Sequence, residues 1–328
     1  MKQKKLQEYK NGENATLFLL LTKIEKKTAK NGNEFLNLEL RDISSTISAK
    51  MWNGFESFYP NAKENMIVKV DCKFDEYNGT PQLIINRIRA AKEADEVTYE
   101  DFLPRSQRNF EEMKEEWKKT VESINNSFLK LLLRKLFDEE TKEKYFNVPA
   151  GKAWHHSYLH GLLEHTLEIV KICETVCKIH PELNRDLLIT AAIMHDFGKT
   201  EELNYKTNFD YTDKGKLIGH IVIAAMRINE KTNEIQDFPE SLKDRLIHLV
   251  LSHQGKLEHA SPVIPKMPEA VVLYHADELS AKSNAYLNVI TKEKQNGGNW
   301  TSFVRLAETS LYIPPEDETD IPKETFFD

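Results

Sequence analysis

The sequence predicts a multi-domain β + α protein: a small five-stranded β-barrel at the N-terminus, followed by an all-α domain. Three observations predict it. Short alternating apolar runs, punctuated by turn residues, fill positions 15–92, which is the pattern of paired strands. From Met113 onward the apolar residues recur at helical spacing. All eleven histidines lie between His155 and His275, so metal chemistry is expected in the second half and none in the first. A chain of 328 residues is long enough for two such domains.

Residues 1–12 are polar and read as a frayed or appended arm. Thr16 to Ile24 reads as a first strand, closed by the hairpin-type turn Lys30-Asn31-Gly32-Asn33. Phe35, Leu36, Leu38 and Leu40 continue as a second strand, and Thr46 to Trp52 as a third. Phe55 to Ala62 is a short helix or an irregular connection. Met66 to Phe74 is a fourth strand, Asn78-Gly79 turns the chain, and Gln82 to Ile88 is a fifth. Five short strands with a break between the third and fourth match a Greek-key barrel of the OB type, set within residues 1–95.

Such barrels commonly hold single-stranded nucleic acid by stacking bases on aromatics beside basic side chains. Trp52 and Tyr77, next to loops, are the best stacking candidates, with Lys50, Lys73 and Arg87 for phosphate; most phenylalanines read as core. The competing reading is a barrel used for assembly or protein contact. Net charge is −7, so no global basic field points to nucleic acid. Residues 1–95 hold 16 Lys/Arg against 13 Asp/Glu, whereas the remainder holds 29 against 39. The first segment is therefore the better partner for a polyanion.

Residues 96–150 read as a helical connector packed onto the following domain. Met113, Trp117, Val121 and Ile124 mark one helix and Phe128 to Phe137 a second; no catalytic signal occurs there. Residues 151–313 form the all-α domain. A helix from about Tyr158 to Ile179 carries His165 near its start. An apolar stretch, Leu187 to Met194, runs into His195-Asp196, with Gly198 as a helix stop. Leu217 to Ile228, Leu242 to Ser252 and Pro268 to Ala281 are further helices, carrying His220, His253 and Asp277.

Burying His195 beside Asp196 is costly unless a cation compensates the charge. The plain alternative is a helix end with a capping His and a solvated Asp. The other histidines favour metal. Imidazole with carboxylate suits first-row divalent ions. His165, His195, Asp196 and Asp277 complete one site. Asp196 has a second oxygen with which to bridge to an ion held by His220 and His253. Two ions about 3.5–4 Å apart are a known arrangement for phosphoester hydrolysis. For His220 and His253 the competing reading is a polar helix cap.

This ordered set, with the trailing Gly198-Lys199, resembles the HD-domain metal phosphohydrolases, including members that bind two metals. An OB barrel, a helical connector and an HD domain, with Gly161-Leu162-Leu163-Glu164-His165-Thr166 and His195-Asp196-Phe197-Gly198-Lys199, resemble the YhaM-type 3′-to-5′ exoribonucleases over about residues 14–313. The resemblance implies a divalent cofactor, manganese first, with cobalt, iron, nickel or zinc as alternatives. It also implies release of nucleoside 5′-monophosphates from single-stranded RNA, with single-stranded DNA as a second substrate. Lys199 is expected to hold a phosphate oxygen. His156 and His160 are candidates for touching the scissile phosphate or acting as an acid. Two other readings stay open: an HD phosphodiesterase or nucleotidase acting on a small nucleotide under a regulatory barrel, and a non-catalytic nucleic-acid-binding protein.

Three cysteines, Cys72, Cys173 and Cys177, are an odd and sparse count, expected of a reducing cytoplasm. Cys173 and Cys177 lie on an apolar helical stripe and read as core. No apolar run reaches membrane-spanning length. A homo-oligomer is an open expectation. Glu316 to Asp328 is acidic and expected to be disordered.

Overall fold

A computed structural model describes residues 3–29, 31–152, 154–205, 209–294 and 297–315. The acidic stretch 316–328 and Lys30 of the expected first turn lie outside the described residues.

Five strands close into a barrel in the order β1-β2-β3-β5-β4. They are β1 (Asn14–Thr28), β2 (Glu34–Arg41), β3 (Thr46–Met51), β4 (Met66–Tyr77) and β5 (Thr80–Ala90). Closure depends on β1, whose first half pairs with β4 and whose second half pairs with β2. That double duty explains its length, which exceeds the apolar run because Glu25 to Thr28 still pair with β2. β3 meets β5 in parallel and completes the circuit. Leu17, Leu19, Leu21, Leu36, Leu38, Val68, Val70 and Leu83 fill the interior, as a two-residue side-chain period requires. Between β3 and β4 the chain makes a 3₁₀ turn at Tyr59–Asn61, with Phe55 and Phe58 pointing into the barrel.

From residue 3 onward the N-terminal arm is held against the barrel and is not frayed. Leu6 is buried in the barrel core and its N–H donates to Asp42 Oδ2 at 2.7 Å. The Tyr9 ring stacks on Phe74, with centroids 4.4 Å apart. An open barrel end exposes apolar side chains, and a single leucine in an otherwise polar arm suffices to plug it. Leu6→Ala is expected to destabilise the protein by about 2–5 kcal/mol in urea unfolding followed by circular dichroism. An unchanged midpoint would show that the arm is only loosely held.

Helices α1 (Phe110–Glu122), α2 (Ser127–Leu136) and α3 (Glu139–Asn147) follow. Asn109, Asn126 and Asp138 cap their N-termini. The third helix was not legible, because only Tyr145 of its nine residues is buried. Met113, Trp117, Leu132, Leu133 and Tyr145 join one hydrophobic cluster with the helices that follow. On the barrel side, Phe102 packs against Leu20 and Ile67. Leu159 N donates to Pro104 O at 2.8 Å, and Ser106 N donates to Leu159 O at 3.0 Å. The barrel is thereby tied to the loop just before the His165 helix.

The remaining helices are α4 (Gly161–Ile179), α5 (Arg185–Met194), α6 (Lys199–Glu202), α7 (Asp213–Ile218), α8 (His220–Asn233), α9 (Glu240–Ser252) and α10 (Pro268–Glu293). Two short strands, β6 (Leu203–Asn204) and β7 (Asp210–Tyr211), separate α6 from α7. The single helix expected over 217–228 is two, because Gly219 takes φ 78° and breaks the turn. Cys173 is fully buried in the core, Cys177 packs against it, and all three thiols are unpaired. Among the described residues no helix is long and apolar enough to cross a membrane.

Candidate metal centre

α5 is apolar on every face and is buried from Leu187 to Met194. It ends by presenting His195 and Asp196 inside the bundle. Gly198 does not stop this helix through a left-handed turn, since its φ is −60°. Its role is close approach: a Cβ there would lie 2.0 Å from the carbonyl oxygen of His220. Only glycine lets the start of α8 come that near α5.

Six side chains from five elements converge. His165, His195 and Asp277 offer ligand atoms that lie within 4.8 Å of one another, as do Asp196, His220 and His253. Asp196 stands between the groups. Its Oδ2 is 3.3 Å from His195 Nε2 and 4.0 Å from His165 Nε2. Its Oδ1 is 3.2 Å from His220 Nε2 and 3.6 Å from His253 Nε2. His165 Nε2 also lies 3.0 Å from Asp277 Oδ1.

The tautomers follow from the far side of each ring. His195 Nδ1 bonds Ala192 O at 2.8 Å, and His253 Nδ1 bonds Val250 O at 2.7 Å. His220 Nδ1 bonds Glu202 Oε1 at 2.9 Å. His165 Nδ1 meets Ser280 Oγ at 2.8 Å, and that hydroxyl donates to Glu168 Oε2 at 2.6 Å. Each acceptor takes the Nδ1 proton and turns Nε2 inward; in a neutral ring that nitrogen presents its lone pair, whereas the charged His220 turns an N–H toward Asp196 Oδ1. His165 Nε2, His195 Nε2, His220 Nε2 and Asp196 Oδ1 are buried without a hydrogen bond of acceptable geometry among the described residues. Buried polar atoms rarely go unsatisfied. Four such atoms facing one space fit divalent cations, and the mixed imidazole and carboxylate donors suit first-row metals.

The electrostatics agree. Burial pushes the His165 imidazolium down to about 4, so the ring is neutral and ready to ligate at pH 7. Burial would also depress His220, but Asp196 and Glu202 outweigh it and lift its pKa to about 9. Burial opposes ionisation of Asp196, yet Lys199 and His195 hold its carboxyl well below the usual range.

Several expected roles change. Lys199 is buried and its Nζ lies 2.6 Å from Asp196 Oδ2 while also donating to Ala150 O. It is the counter-ion of Asp196, and its ammonium is almost wholly buried between that carboxylate and the Ala150 carbonyl. His156 is 0% exposed, with Nε2 3.3 Å from Glu168 Oε1. Its ligand atom lies within 4.8 Å of those of His155 and His165. His160 stacks on Phe110 and bonds Phe146 O at 3.0 Å, away from the cluster. His155 is half-buried, with its ring 4.9 Å from that of His165. Sequence reasoning missed Glu202, Glu168, Ser280 and the Tyr145 hydroxyl, which donates to Ile193 O at 2.9 Å beneath the site.

On the barrel, Trp52 is 40% exposed and stacks on Phe35 at 4.7 Å. Tyr77 is 61% exposed, with Lys50 Nζ 4.8 Å from its ring centre. Lys50 and Lys73 flank Ile84 across three neighbouring strands. Arg87 lies farther along β5, in a groove of about 640 Å³ shared with Lys69 and Arg89. Tyr77, Lys50 and Lys73 thus lie together, while Arg87 shares its groove with Met51 and Gly54, which bracket Trp52 in the chain.

A closed OB barrel joined to a helical bundle that focuses His165, His195-Asp196 and Asp277 defines an HD-domain metal phosphohydrolase with an appended OB fold. The HD domain family matches residues 162–282, and the OB-fold nucleic acid binding domain family matches residues 20–91. The chain is 33% identical over 307 residues to the 3′-5′ exoribonuclease YhaM of Geobacillus sp., covering 94% of each chain. It is 34% identical over 312 residues to the YhaM proteins of Listeria monocytogenes and Listeria innocua, covering 95% of this chain and 99% of theirs. The chain belongs to the YhaM 3′-5′ exoribonuclease family, and its HD domain is a divalent-metal-binding unit.

Proposed function

We propose that this protein is a metal-dependent 3′-to-5′ exoribonuclease that releases nucleoside 5′-monophosphates from single-stranded RNA, with single-stranded DNA as a second substrate. The observation that carries the reading is the shared Asp196, one oxygen turned to each of two ligand groups. In this reading His165, His195 and Asp277 would hold one ion and His220 and His253 the other, with one oxygen of Asp196 facing each group. Manganese is the first candidate, ahead of cobalt, iron, nickel and zinc. Bound divalent ions supply Lewis acidity, acidifying water and neutralising charge on the phosphodiester. Lys199 keeps Asp196 ionised, and the Nδ1 acceptors keep the imidazoles aimed. Trp52 and Tyr77 stack bases while Lys50, Lys73 and Arg87 meet phosphates. Three unpaired thiols support a reducing compartment, the cytoplasm.

Digestion of 3′- and 5′-labelled 30-mers across a panel of divalent ions tests this. The 3′ label is expected to leave at once as a mononucleotide, while the 5′-labelled strand shortens stepwise, fastest with Mn²⁺. Cleavage at internal positions, or hydrolysis confined to mononucleotides and dinucleotides, would overturn the assignment. The second outcome would favour a small-nucleotide phosphodiesterase with a regulatory barrel.

A further inference from the structure

We propose that Glu202 is a positioning residue for the metal pocket formed by Asp196, His220 and His253: it fixes the imidazole of His220 from behind. The proposal rests on the two-ion reading above. Glu202 closes α6 and is 7% exposed. Its Oε1 accepts twice from one residue, from His220 N at 2.9 Å and from His220 Nδ1 at 2.9 Å.

The need for a side chain here follows from helix geometry. His195 and His253 stand at helix C-termini, where the carbonyl three residues back meets the ring: Ala192 O and Val250 O. His220 opens α8, so no preceding helical turn supplies such a carbonyl. Its own N–H is also one of the orphan donors of a helix N-terminus. One carboxylate answers both demands, and negative charge is favourable at that end of a helix.

Glu202 and His220 also bound the excursion that contains β6, β7 and α7. Thr212 N donates to Glu202 O at 2.8 Å, and a Cβ on Gly215 would lie 2.4 Å from that same oxygen. Thr212 and Gly215 thus pack against the backbone of Glu202, while its carboxylate reaches His220. Among the four histidines in the cluster, His220 is the one whose Nδ1 bonds a carboxylate directly; His165 reaches Glu168 only through Ser280. A carboxylate behind a ligand imidazole orients it and raises its basicity, and losing such a partner typically weakens metal binding 10- to 100-fold.

The test uses full-length protein stripped of metal and titrated with Mn²⁺ by electron paramagnetic resonance. Wild type is expected to take two ions. Glu202→Ala should weaken the more weakly held ion about 10- to 100-fold and leave the other unchanged. Glu202→Gln, which keeps an acceptor but loses the charge, should fall between the two, and it decides the matter if the alanine variant does not fold. Thr212→Ala loosens the excursion without touching the Glu202–His220 contact and should titrate like wild type. Two ions in wild type with unchanged affinity in both Glu202 variants would overturn the proposal while leaving the two-ion reading intact. Equal weakening in Thr212→Ala would assign the effect to the excursion and overturn it as well. A single ion in wild type would remove the second pocket, and the proposal with it.

Discussion

Asp196→Asn is expected to lower phosphodiester hydrolysis by on the order of 10³-fold or more and, in the metal-free protein, to cost about 3–5 kcal/mol of stability. The first effect follows from the two carboxylate oxygens, which face different ligand groups 3.2–3.6 Å away. An amide keeps the shape but removes the charge that would hold either ion. The second effect follows from Lys199, whose side chain is buried against Asp196 Oδ2 at 2.6 Å. Removing one partner of a buried pair strands the other charge, whereas replacing both with apolar groups of similar size is often neutral. The double variant Asp196→Asn with Lys199→Met should therefore regain stability while remaining inactive. Urea unfolding of chelator-treated protein and turnover of a labelled 30-mer read the two effects separately. Activity within about tenfold of wild type would sink the bridging role. A double variant no more stable than the single would show that Lys199 does not depend on Asp196.

The largest effect on binding is expected from Trp52→Ala combined with Tyr77→Ala. Affinity for a 30-mer should fall on the order of 10²-fold or more, because each stacked base contributes roughly 1–3 kcal/mol. A 5-mer, able to reach the metal centre without spanning the barrel, should lose far less. Lys50→Ala and Lys73→Ala should instead flatten the salt dependence of binding. Substitution is a cleaner test than removal of the barrel. Phe102 packs on Leu20 and Ile67, and residues 104–106 bond the loop ahead of α4. Deleting the barrel would uncover that junction and perturb the bundle. Equal losses on both strand lengths would mean that the barrel serves folding or assembly.

The barrel was legible because alternation reports burial directly: Leu17, Leu19 and Leu21, then Leu36, Leu38 and Leu40, face one side by geometry alone. The convergence of His and Asp was legible as a candidate metal site because His195-Asp196 at the end of an apolar run is costly without compensation. The same logic applies to His165, His220, His253 and Asp277 on apolar helices. What the sequence hid was partnership between distant positions. Leu6 looks like one apolar residue in a polar arm until a barrel end needs a plug. Lys199 looks accessible until Asp196 and Ala150 are seen to enclose it. Glu202 is one acidic residue among 52 Asp/Glu until His220, eighteen positions later, is found against it.

By itself the sequence determined the two domains, the residue types that can bind metal and the strand and helix faces that must be buried. Each of these depends on local period or on the cost of burying charge. The tertiary structure alone decided which oxygen of Asp196 faces which histidines, which groups stand behind the rings, and that Lys199 is buried against Asp196. Those relations join residues up to 115 positions apart, and no local period encodes them. They exist only once the helices have packed and each buried donor has found an acceptor.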